Sequence, residues 1–308
     1  MLTGIFAGVM WALETVVIAI ALSATPFVST EEGLFLAPFV STFLHDGFSA
    51  ILMWIYNGIK GNLKEVFKVF ATKDFKWLVI ASAIGGPVGM TGYILAVNCM
   101  GASVGAIASA VYPAIGSFLA YLFLKEKMKW YQIGFLLLTL AGVFGISYSP
   151  GLDINNFWLG LLGAFMCAFG WGTEGVILSK SFKNAEIKSE YALLIRQTTS
   201  AVLYGIFIIP VLSGVKFTFG LFAEENASVL LIIFVAAFCA TLSYLLYYKA
   251  IAKLGVAKAM GLNITYTAWA VVFSVLIFKD FGILNPVTIL CGLLVVVCGI
   301  LSATDFGK

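Results

Sequence analysis

Ten separate runs of apolar residues, each close to the length a helix needs to cross about 30 Å of hydrocarbon, leave this chain very few folds to choose from. They lie near residues 3 to 23, 34 to 57, 77 to 97, 103 to 124, 130 to 148, 157 to 179, 190 to 213, 227 to 248, 259 to 278 and 286 to 303. With 61% hydrophobic and 11% charged residues among 308, the chain has too little polar surface to cover such runs in water. Lipid must be their solvent. A segment in lipid has to satisfy its own backbone polar groups, and runs of this length do so as helices. The expectation is an all-α membrane protein, a single transmembrane domain over 1–308, with the lipid bilayer as a permanent partner. The first run has no basic lead and contains Glu14, so it should remain as a span and not be removed as a signal peptide.

The connecting loops set the orientation, because lysine and arginine collect on the cytoplasmic side of short loops. Alternate loops are sharply unequal. The even-numbered ones carry Lys60, Lys64, Lys68, Lys73 and Lys76, then Lys125, Lys127 and Lys129, then Lys180, Lys183 and Lys188, then Lys249, Lys253 and Lys258. The odd-numbered ones carry Lys216 and Lys279. Both termini are thus expected in the cytoplasm. The net charge of +3 reflects this sorting and not a nucleic-acid surface.

The chain also matches itself. Tyr93, Ala96, Gly101, Tyr112, Lys125 and Glu126 meet Tyr247, Ala250, Gly255, Tyr266, Lys279 and Asp280 at a constant offset of 154. Trp11 and Glu14 recur as Trp171 and Glu174 at an offset of 160. Two halves of five spans each, 1–150 and 151–308, must be inserted with opposite orientation because five is odd. Inverted repeats of this kind place a substrate site at their interface.

A carboxylate inside a span costs roughly 2.5–3.5 kcal/mol on insertion scales, so Glu14 and Glu174 need a reason to be there. Spacing of i, i+3 puts each on one helical face with its tryptophan. If the halves meet about a pseudo-twofold axis, Trp11, Glu14, Trp171 and Glu174 line one central cavity. In the ninth span Asn263, Tyr266 and Trp269 recur every third residue, and Tyr112 is the repeat partner of Tyr266. Together they would close an aromatic box. Such a lining suits an organic cation, since a quaternary ammonium has no N–H to donate and is held by aromatic faces and by charge. The plainer reading is that these residues pack the helices and bond to neighbours.

Tyr93 and Tyr247 form a further symmetric pair that fits the cavity or a helix seam equally well. His45 and Asp46 in the second span face a repeat partner carrying Arg196. An ion pair between the two spans, direct contact with substrate, and proton handling by His45 are all open to them. The run GGPVG at 85 to 89 interrupts the third span, serving either as a kink or as a site of close packing.

These stretches also resemble a known family. Ten helices in two inverted repeats, with GASVGAIASAVYPAIGSFLAYLFLKEK followed by a Gly-rich apolar span, resemble the EamA modules of the drug/metabolite transporter superfamily. More narrowly, GGPVGMTGYILAV, FGWGTEGV, YALLIRQTTS and GLNITYTAWAV look like the corresponding stretches of the bacterial Lic-type choline transporters. The resemblance implies a multi-pass protein of the bacterial cytoplasmic membrane that imports choline, or a close quaternary ammonium relative, by alternating access. Uniport and proton-coupled transport are both compatible with it, and it carries no reading of oligomeric state. Exporters of amino acids or drugs share the same ten-helix module and are the alternative.

Other classes find little support. One histidine, no H-E-x-x-H and no G-x-S-x-G leave no constellation for an enzyme, so no catalytic residue, metal or cofactor is expected. Five cysteines, odd in number and without C-x-x-C spacing, read as packing residues. An anion carrier would need cations within the spans, where Arg196 stands alone.

Overall fold

The computed structural model describes residues 1–96, 99, 110–147, 156–184, 187–279 and 281–306. Gly101, the GASVGAIAS stretch that opens the fourth apolar run, residues 148–155 and Asp280 lie outside them. Among the described residues there are helices and no strands.

In chain order the helices are α1 (Leu2–Leu22), α2 (Glu31–Ile59), α3 (Leu63–Phe70), α4 (Lys73–Ala96), α5 (Tyr112–Leu124) and α6 (Trp130–Ser147). They continue as α7 (Phe157–Asn184), α8 (Ser189–Val211), α9 (Val215–Gly220), α10 (Ala227–Leu254), α11 (Val256–Phe278) and α12 (Pro286–Ala303). Eight are long and apolar enough to cross a membrane, while α5 and α6 are shorter apolar helices. The short α3 and α9 were not among the expected elements. In α3, Val66 and Val69 are buried three residues apart while Lys64 and Lys68 are exposed, the pattern of a helix lying on a surface.

Local chemistry fixes several ends. The Thr30 hydroxyl accepts from the Gly33 N–H at 2.9 Å, and Glu31 and Glu32 occupy the first turn of α2, where carboxylates favour the positive end of the helix dipole. Asn285 accepts from Thr288 N–H at 2.9 Å ahead of Pro286, a residue preorganised for the first helical position. The sequence-matched Lys125 and Lys279 both close their helices in the left-handed region, with φ 55° and 59°.

Two helices are interrupted. In α4 the run Ile84–Val88 forms a π turn around Pro87, which lacks the N–H that an α turn would use. The interruption is also a close-packing site: a β-carbon on Gly86 would stand 2.6 Å from Ser200 Oγ, and one on Gly85 would overlap the Glu174 carboxylate. The close packing expected there is present and coincides with the π turn. In α11 a turn at Ile264–Thr265 separates Val256–Asn263 from Tyr266–Phe278.

The packing is reciprocal. Helix α1 lies along α10 and against α11, and α7 lies against α4 and α5. Helix α2 meets α10 as α8 meets α4, while α2 with α8, α5 with α11, and α6 with α12 pack pairwise. Small residues allow the close crossings; a β-carbon on Gly92 or on Gly163 would come within 2.6 Å of the other's carbonyl oxygen. Large apolar side chains such as Phe118, Phe123, Trp158, Phe207 and Leu290 face outward, as lipid-facing positions do.

Candidate functional site

Helices α1, α2, α4, α7, α8, α10 and α11 converge on a buried polar centre. Its five charged or titratable members are Glu14, His45, Asp46, Glu174 and Arg196, each at most 7% exposed. Arg196 is its hub. The guanidinium donates through Nε to Glu174 Oε1 and through Nη1 to Asp46 Oδ2, both at 3.2 Å, and stands 4.7 Å from the centre of the Tyr244 ring. Tyr248 donates its hydroxyl to Glu174 Oε1 at 2.9 Å. The ion pair expected between the second and seventh spans is therefore the Asp46–Arg196 contact, with Glu174 as a second partner.

Glu14 is held differently. Thr15 donates to its Oε2 at 3.4 Å, and His45 Nε2 lies 3.6 Å from Oε1. That separation exceeds a hydrogen bond, and Nε2 is buried without a hydrogen-bond partner among the described residues. The other ring nitrogen, Nδ1, is 2.9 Å from Asp46 Oδ1. Three carboxylates thus face one guanidinium and one imidazole. With its three carboxylates ionised, the cluster is net negative whether or not His45 is protonated.

Two cavities flank this centre. The larger, about 280 Å³, is lined by Glu14, Thr15, Ile18 and Leu22 of α1, by His45 and Asp46 of α2, by Met90, Tyr93 and Ile94 of α4, and by Arg196. The smaller, about 50 Å³, is lined by Glu174, Gly175 and Leu178 of α7, by Tyr244, Tyr247 and Tyr248 of α10, and by Tyr112 and Asn263. Trp11, Trp171, Tyr244 and Tyr266 line both and so form the wall between them. Trp11 meets Tyr244 and Tyr266 edge to face, with centroids 5.0 and 6.5 Å apart. Trp171 stacks on Tyr93 at 5.9 Å, meets Tyr112 edge to face at 5.5 Å, and donates its indole N–H to Gly85 O at 3.0 Å. Asn263 donates to the Tyr112 hydroxyl at 3.2 Å, and its Oδ1 is buried without a partner among the described residues.

Seven of the eight residues expected to bind substrate therefore line one cavity or both. Trp269 does not. It stands one turn along α11 beyond Tyr266, outside the lining of either cavity. Tyr93, His45, Asp46 and Arg196 line the larger cavity and Tyr247 the smaller. Tyr244 and Tyr248 were missed by sequence reasoning. Tyr247 and Tyr248 follow Tyr244 at helical spacings of three and four, which was the available signal.

Comparison with known proteins gives the same picture at family level. Residues 1–148 match the model of the EamA-like transporter family. Protein LicB of Haemophilus influenzae is 31% identical over 216 residues, covering 70% of each chain. One solved crystal structure superimposes with a TM-score of 0.71 over 98% of this chain and 96% of its own, at 17% identity, a likeness of fold. This chain is a multi-pass membrane protein of the EamA-like transporter family, within the drug/metabolite transporter superfamily, and is homologous to LicB.

Proposed function

We propose that this transporter imports choline, or a closely related quaternary ammonium cation, across the bacterial cytoplasmic membrane by alternating access. The observation that carries the reading is the pairing of an aromatic wall with a carboxylate that no fixed cation neutralises. Trp11, Trp171, Tyr244 and Tyr266 present ring faces and edges between the cavities, and Glu14 stands at their edge without a permanent counter-ion. A desolvated cation on such a wall gains about 2 kcal/mol or more per well-placed ring. Tyr244 already holds the Arg196 guanidinium this way. On the smaller cavity, across the wall from Glu14, Asn263 Oδ1 is a second buried acceptor, one that a hydroxyl would satisfy. A cavity of about 280 Å³ suits a small molecule, just under the range of drug-sized sites.

In this reading all ten apolar helices cross the membrane, as two inverted repeats over 1–150 and 151–308, with both termini cytoplasmic. The reciprocal packing of the helices supports the repeats. The larger cavity runs along the C-terminal half of α1 and would then face outward, and the smaller, along the C-terminal half of α7, would face the cytoplasm. Displacement of labelled choline from the purified protein in detergent tests the function. Saturable choline binding is expected; tight binding of phenylalanine or tryptophan without choline binding would assign the chain to the amino-acid exporters instead.

A further inference from the structure

The two halves of the buried cluster are related more closely than the tryptophan and glutamate pairs alone suggest. Helices α2 and α8 align at an offset of 151, which places Ser49, Ala50 and Leu52 on Ser200, Ala201 and Leu203. The same offset places His45 on Arg196. Since Glu14 corresponds to Glu174, the Glu14–His45 approach at 3.6 Å and the Glu174–Arg196 contact at 3.2 Å are one interaction built twice. In each half a glutamate on the first helix of the repeat faces a basic side chain on the second.

The copies differ in one respect that matters chemically. A guanidinium is always charged, so Glu174 is permanently occupied. An imidazole gains and loses its charge within the physiological range, and the Nε2 of His45 points at Glu14 with no other partner among the described residues. The geometry points to His45 as an exchangeable counter-ion of Glu14: protonated, it occupies the carboxylate as Arg196 occupies Glu174, and neutral, it leaves that carboxylate to the substrate cation. One positive charge replaces another. As choline arrives beside Glu14, the proton on His45 leaves to the water of the larger cavity, and the net charge of the cluster with its ligand is conserved.

Other groups face the pair. Asp46 lies beside His45 on α2, and Arg196 approaches from α8. Tyr93 of α4, Cys239 and Tyr244 of α10, and Tyr266 of α11 lie within electrostatic reach of Glu14. Asp46 and Arg196 pair with each other, and the phenols and the thiol are neutral at physiological pH by their ordinary chemistry. That leaves Glu14 and His45 as the pair whose ionisation the substrate can sense.

This inference rests on the cation-binding reading above, and the experiment separates the two. Choline affinity of the full chain in detergent is measured between pH 5.5 and 7.5 for the parent, His45→Gln and His45→Arg, with melting temperature as the check on folding. The parent is expected to bind choline at least about fivefold more weakly at pH 5.5 than at pH 7.5, as competition with a single exchangeable imidazole proton requires. His45→Gln should bind with an affinity that no longer depends on pH. His45→Arg should bind at least tenfold more weakly throughout, because Glu14 is then occupied as Glu174 is. A parent whose affinity is independent of pH, or a His45→Gln variant that keeps the parental slope through titration of Glu14 itself, overturns the inference while leaving the cation site standing. Absence of choline binding by the parent at every pH overturns the cation reading. Should His45→Arg fail to fold, the contrast between parent and His45→Gln decides alone.

Discussion

Glu14 and Glu174 occupy equivalent places in sequence and unequal places in chemistry. Glu174 has Arg196 and Tyr248 as partners, whereas Glu14 has Thr15 and a histidine beyond hydrogen-bond reach. Glu14→Gln is therefore expected to lower choline affinity by more than tenfold with little change in melting temperature, because it removes the charge the substrate answers. Glu174→Gln should act chiefly on stability. Arg196→Met, which strips both Glu174 and Asp46 of their cation, should be more damaging still; breaking a buried ion pair from one side typically costs about 3–5 kcal/mol. Thermal unfolding in detergent orders the three, and a Glu174→Gln variant that keeps its stability and loses all binding would reverse the assignment. Of the wall, Trp11→Ala and Trp171→Ala should each weaken choline binding tenfold or more, the loss of about 1.4 kcal/mol or more of desolvated cation–π contact. Equilibrium binding measures this, and unchanged affinity in both variants removes the aromatic wall from the site.

At the scale of elements, the π turn of α4 joins helix shape to the charged centre. Gly85 sits where a β-carbon would overlap the Glu174 carboxylate, so Gly85→Ala must push Glu174 off Arg196 or part α4 from α7. A lowered melting temperature and reduced choline uptake are expected. Gly134 of α6, where an added β-carbon would meet nothing within 4 Å, is the contrast: Gly134→Ala should be neutral or stabilising by up to about 1 kcal/mol. The same two scales explain what was legible in the sequence. The apolar runs announced their helices by length alone, and Trp11, Glu14, Tyr93 and Tyr112 were found because their counterparts are identical. Tyr244 and Tyr248 escaped because the repeat has diverged there, the positions 154 residues earlier being Met90 and Ile94. Trp269 follows Tyr266 by one turn inside the continuous Tyr266–Phe278 segment, and a shared helical face did not bring it to either cavity. Helix α3 is eight residues long, too short for its periodicity to stand out.

For the molecule as a whole, the net negative centre predicts which cations are accepted. Betaine shares the trimethylammonium head of choline and adds a carboxylate, which would lie unpaired beside Glu14 and Asp46; a buried uncompensated charge is costly. Choline should displace labelled choline well and betaine poorly, measured by competition on the purified protein, and equal potency would mean that charge plays no part in selection. The wall between the cavities has one more consequence. Of the seven tryptophans, Trp77, Trp130 and Trp158 are exposed on the outer surface and Trp54 and Trp269 line neither cavity. The two indoles of the wall are thus a fixed minority of the chain's ultraviolet emission, placed where a cation bound as proposed would change their surroundings directly. Binding of the cation should be visible without any label, as a saturable change in intrinsic fluorescence that disappears only when Trp11 and Trp171 are both replaced by phenylalanine.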